Sequence, residues 1–170
     1  VELEVTAKLR LPLVVVLVLT VQKSLLSEID VRDVRPDALL LLAVCAGLVA
    51  GSEVGAVVGF VVGLMADLFV QAPLGLNALV FSLVGYAVGS FRSALIREIW
   101  WIPPLTALLA SAGGVLLYGV LGAVVGQSQF VRPHLLTVAL VVGVMNSVMS
   151  LILIRLTGWA LNPTQERYAR

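Results

Sequence analysis

Gly59-Phe60-Val61-Val62-Gly63-Leu64-Met65-Ala66-Asp67-Leu68-Phe69-Val70-Gln71-Ala72-Pro73-Leu74-Gly75-Leu76-Asn77 is the stretch on which the reading of this chain turns. An aspartate stands in a run apolar enough to lie in lipid, where a charge is costly. A Pro-Leu-Gly turn follows within two helical turns. Upstream, Gly47, Gly51 and Gly55 join Gly59 and Gly63 in a series that recurs at every fourth position. Each glycine inside a helix costs about 1 kcal/mol relative to alanine, so both the charge and the glycines require compensation from the fold.

Of the 170 residues, 60% are hydrophobic and 12% charged, and the mean hydropathy is +1.07. The exterior of a soluble domain this small must carry far more charge. The expected solvent for most of the chain is therefore a bilayer, and the length fits one domain over 1–170. The net charge of +1 contains no basic block, which argues against a nucleic-acid partner. Cys45 is the sole cysteine, so no intramolecular disulfide can form. Lys8 and Arg10 precede an apolar run as in a signal peptide. Lys23-Ser24-Leu25-Leu26 offers no small-x-small cleavage site, however, and further spans follow, so this segment reads as a retained first helix.

Crossing ~30 Å of hydrocarbon takes ~20 apolar residues. The candidates lie at about 9–26, 38–51, 54–70, 76–94, 105–125 and 135–156, the second being short. Pro36-Asp37 suits the start of the second, with proline in the first turn and a carboxylate at the positive end of the helix dipole. Ser52-Glu53 marks a break that divides 38–70 into two helices. With six spans, Lys8, Arg10, Arg92, Arg97, Arg155, Arg167 and Arg170 fall on one side, and Arg32, Arg35 and Arg132 on the other. The positive-inside rule then places both termini in the cytoplasm. Trp100-Trp101 and Trp159 stand at span ends, where an aromatic belt belongs, and residues 91–101 read as lying along the cytoplasmic surface. The expected fold is an all-α integral membrane protein, a compact bundle of six transmembrane helices.

Glycine at these spacings lets helix backbones approach closely in lipid, where burial from water supplies no driving force. A four-residue spacing drifts about 40° per step around a helix of 3.6 residues per turn. A break near Ser52-Glu53 gives each short helix its own seam. The fourth span repeats the device with Ser82, Gly85, Gly89 and Ser93. The fifth carries Gly113, Gly114, Gly119, Gly122 and Gly126, and the sixth Gly143, Ser147, Asn146 and Ser150. Packing inside the bundle is the preferred reading. The alternative makes one such face an interface for another protein's helix or for a second copy of the chain.

Asp67 has two readings, a carboxylate on an ion or proton path and a brace for the turn ending at Gly75. The second is preferred, because no other acid, histidine or paired lysine stands at matching depth. One turn from the helix end, it can reach interfacial water or the backbone amides of the following loop. Its own helix dipole opposes an anion there, so a donor is required, with Lys23 and Arg132 as candidates. Glu53 is placed to cap the third helix and Asn77 the fourth. His134 lacks the neighbouring ligands of a metal site. No nucleophile, base and orienting group come together, and no Gly-rich loop is followed by Lys-Ser or Lys-Thr. The expectation is a protein with no catalytic group, cofactor or metal.

Arg35-Pro36-Asp37, Gly59-Phe60, Gly63-Leu64, Asp67, Pro73-Leu74-Gly75, and Gly85-Tyr86 with Gly89 resemble the core of the rod shape-determining protein MreD family. The motifs cover about residues 35–92, and length and layout extend the likeness along the chain. Val70, Gln71 and Ala72 depart from it, since the family often has glycine or other small residues before Pro-Leu-Gly. The resemblance implies a non-enzymatic component of the bacterial inner membrane. That component docks MreC and works with MreB and the RodA–penicillin-binding-protein synthase in peptidoglycan synthesis and cell shape. It further implies a fold like the substrate-binding subunits of energy-coupling-factor vitamin transporters. Gly47, Gly51, Gly55, Gly59, Gly63, Asp67, Pro73, Gly75, Gly85 and Gly89 are the candidates for structure and interaction. The competing functions are a vitamin-binding transport subunit and a small ion-coupled transporter.

Overall fold

The computed structural model describes residues 5–24, 36–69, 74–92, 101–126 and 135–161. Among them are six helices: α1 (Val5–Ser24), α2 (Ala38–Ala50), α3 (Ser52–Asp67), α4 (Leu76–Ser90), α5 (Ile102–Val124) and α6 (Leu135–Leu161). Pro73, Arg35, Arg132, His134, Trp100 and most of the surface segment expected over 91–101 lie outside the described residues.

The short α2 is the axis of the bundle. It packs against all five other helices, and every residue from Ala38 to Leu48 is buried. A helix apolar on all sides is one surrounded on all sides, and Ala-Leu-Leu-Leu-Leu-Ala-Val-Cys meets that condition with neighbours on every face. Two hairpins, α3–α4 and α5–α6, flank it; α4 also touches α5, and α1 closes the bundle against α6 and α2.

The surface inverts the pattern of a water-soluble protein. Val148 and Ile152 on α6 are 70% and 75% exposed, and Leu109 on α5 is 62% exposed. Helices α5 and α6 are long and apolar enough to cross a membrane, and most of their surface lies outside the bundle. In water, burying such side chains would be worth about 1.5–3 kcal/mol each; their exposure marks a membrane protein.

The break between α2 and α3 falls at Gly51, one residue before the expected Ser52-Glu53. Gly51 has φ +93° and is the one residue between the two helices. A side chain there would be strained, which is why glycine makes the corner. Glu53 sits in the first turn of α3, where the dipole favours an anion, but the cap position is Gly51 and no side chain caps it. Pro103 and Pro104 lie inside the first turn of α5 rather than before it.

Candidate functional site

Glycine positions on three helices converge on one side of the axis. A Cβ built at Gly47 or at Gly55 would stand 2.5 Å from the carbonyl oxygen of Gly85. One built at Gly85 would meet the carbonyl of Gly55, and Gly55 in turn faces the Cα of Gly47. The contact continues along the α3–α4 hairpin. Gly59 lies against the carbonyl of Phe81, Gly63 against Asn77 and Ala78, and Gly89 against Gly51 and Ser52. Each step of four along α3 is matched by about four the other way along α4, the signature of an antiparallel pair in constant register. All the obstructing atoms are backbone, so no side-chain rotation could make room. At this separation van der Waals contact and weak Cα–H···O contacts offset what glycine costs the helix. These glycines are occupied by contacts within the chain.

Asp67 closes the open end of that hairpin. It is 2% exposed. Its Oδ2 accepts from the amides of Gly75 at 2.9 Å and Ala78 at 3.3 Å, and its Oδ1 accepts from Asn77 through the amide at 3.2 Å and through Nδ2 at 2.9 Å. The donors are thus the first amides of α4, whose positive dipole end faces the carboxylate. Backbone amides beyond the turn are among the expected donors, Arg132 lies outside the described residues, and the unfavourable end of α3 is offset by the favourable end of its neighbour. The ammonium of Lys23 stands over the Phe69 ring, 4.9 Å from its centroid. Asn77 does not cap α4. The cap position is Gly75, in left-handed backbone at φ +96°, while Asn77 donates its side-chain amide to Asp67, which caps the helix from outside. A carboxylate has about four lone-pair sites, and all four are used.

A second polar centre sits at the start of α2. The Asp37 carboxylate accepts from the Leu40 amide at 3.0 Å, and the Leu39 amide donates to Gln22 Oε1 of α1 at 3.0 Å. Asn146, fully buried in the middle of α6, donates Nδ2 to the Asp37 carbonyl at 3.0 Å and to Ser111 Oγ of α5 at 2.9 Å. Four helices are tied together there. In sequence Asn146 is one of several small polar residues of the last span; its cost in an apolar helix is the signal that sets it apart. Elsewhere in the bundle Arg10 stacks on Trp159, 4.7 Å from the ring centroid.

Among the described residues no group of three or more His, Cys, Asp or Glu side chains could hold a metal. The Cys45 thiol is buried in the core of α2. Both polar centres are clasps; their groups are committed to holding helix ends together.

The family model for rod shape-determining protein MreD matches residues 5–156. No curated protein and no solved structure matches the chain.

Proposed function

The chain belongs to the MreD family and so has a role in rod shape determination; from that premise we propose that it is a non-enzymatic scaffold that docks MreC in the bacterial inner membrane. The observation that carries this is the Asp67 clasp. A carboxylate whose lone pairs are all taken by four hydrogen bonds from the start of α4 must give up at least one of them to take up a proton, which favours a static brace over a transport path. In this proposal the chain crosses the membrane six times with both termini cytoplasmic, and the RodA–penicillin-binding-protein synthase and MreB are engaged through the assembled complex. The likeness to vitamin-transporter binding subunits belongs to the same proposal and concerns architecture alone.

Because the seam glycines are taken up between α2, α3 and α4, the helix of a partner has to dock on an outer face. The test is purification in mild detergent followed by mass spectrometry of the companions. MreC as the dominant companion supports the scaffold, whereas a bound vitamin overturns it. So does a proton-coupled flux in liposomes that disappears in Asp67→Asn.

A further inference from the structure

An open groove of about 430 Å³ runs along the outer side of α1, lined by Val16, Leu19, Thr20, Lys23 and Ser24 and closed at one side by Phe69. The first four are spaced as one helix face, opposite the face on which Val14, Val15 and Val18 enter the core. The Thr20 hydroxyl is turned onto its own helix, donating to the Val16 carbonyl at 2.8 Å, so the wall it presents is largely carbon. Lys23 stands at one end of the groove. Its ammonium lies over the face of Phe69, and the neighbouring Gln22 accepts from the first turn of α2. Lys23 is exposed in the last turn of α1, a helix end that the six-span proposal above puts at the membrane surface, while the apolar wall extends back along α1.

An apolar trough with a cation at one end is complementary to an amphiphile with an anionic head. We propose that this groove is a site for an anionic phospholipid of the surrounding leaflet. An acyl chain lies along Val16, Leu19 and Phe69, and the phosphate is met by Lys23. An ammonium has three donors and serves several acceptors at once, and sharing a ring face steadies it. The open side lets the lipid stay part of the bilayer while its head is held. The site is on this chain's own surface and is independent of which protein the scaffold docks.

The experiment reconstitutes the full chain into vesicles of phosphatidylcholine with a minor fraction of phosphatidylglycerol. The protein is extracted in mild detergent, and the lipid retained per protein is measured by mass spectrometry. Wild type is expected to retain phosphatidylglycerol above its share in the vesicle. Lys23→Gln should lower that enrichment about fivefold, the effect of removing one basic residue at an anionic surface, whereas Lys23→Arg should keep it. Val16→Trp, which fills the exposed trough and leaves the charge in place, should lose it too. Equal retention of the two lipids by wild type, or unchanged enrichment in both Lys23→Gln and Val16→Trp, overturns the site. A photo-crosslinker at position 16 that captures a polypeptide in native membranes overturns it as well. Companion proteins are scored in a parallel purification from native membranes. A wild type that keeps the lipid but brings down no partner counts against the scaffold reading alone.

Discussion

The α3–α4 and α5–α6 hairpins are both antiparallel pairs rich in glycine, yet they use it in opposite ways. Along α3–α4, Gly55, Gly59, Gly63, Gly85 and Gly89 each face the partner's backbone. Along α5–α6 the contacts are mostly softer. A Cβ added at Gly119 would meet the end of the Leu135 side chain, one at Gly143 would stand 2.9 Å from the Leu108 carbonyl, and one at Gly113 would meet nothing within 4 Å. The polar clasps differ in the same sense. Asp67 joins two successive helices through backbone amides, while Asn146 joins α5 and α6 to the start of α2 and its own Oδ1 finds no hydrogen-bond partner among the described residues. Glycine frequency therefore says little about a helix pair; what stands opposite each glycine decides its value.

The sharpest way to break this contrast is to add bulk on each side of it. Gly59→Ala places a methyl group against the Phe81 carbonyl and the Ser82 amide, and α3 and α4 must separate to admit it. The expected cost is about 3 kcal/mol, the upper end for overpacking, read as a fall in thermal unfolding temperature in detergent. Gly59→Leu should yield no monodisperse protein. The matched change Gly119→Ala meets only the movable end of Leu135 and should cost under about 1 kcal/mol. Equal shifts for the two alanine variants would erase the distinction.

The clasps give the next largest effects. Asp67→Ala leaves the Gly75, Asn77 and Ala78 amides without their acceptor, and an unsatisfied buried donor is expensive. A loss of about 2 kcal/mol is expected. Asp67→Asn should fall on the same side, because its NH2 group would face donors. Asn146→Leu should cost less, about 1 kcal/mol. The Asp37 carbonyl keeps its bond from the Leu41 amide, and the orphaned Oδ1 is removed with the side chain. An Asn146→Leu variant less stable than Asp67→Ala would reverse the order and make the start of α2 the main tie of the bundle.

How far these features could be read from residues alone differs between them for physical reasons. The division of 38–70 into two helices was legible because glycine every fourth residue cannot keep one face on a single long helix. The corner still fell at Gly51, since a positive φ outweighs a polar pair as a breaker. The central position of α2 was not legible. In lipid an apolar residue is at home against either protein or acyl chain, so Leu41, fully buried, and Leu109, largely exposed, look alike in sequence. Asp67 stands close enough to the end of its helix for the backbone amides beyond the turn to be legible as partners, but that they form the positive end of α4 depends on how the two helices pack. Asn146 was missed as a tie because its partners, Ser111 and the Asp37 carbonyl, are distant in the chain and one of them is backbone.

The smallest predicted effect has the opposite sign and tests the comparison from its permissive side. Gly113 lies within α5, is exposed, and would bring an added Cβ against nothing within 4 Å. It also lacks a positive φ. With no close approach to preserve and no special backbone to adopt, glycine there retains only its helix penalty. Gly113→Ala should stabilise the protein by up to about 1 kcal/mol, seen as a small rise in unfolding temperature. The same substitution at Gly85, on a helix of similar composition, should be strongly destabilising. If Gly113→Ala instead leaves folding intact but lowers recovery of a companion protein, the open position on α5 is where another helix sits.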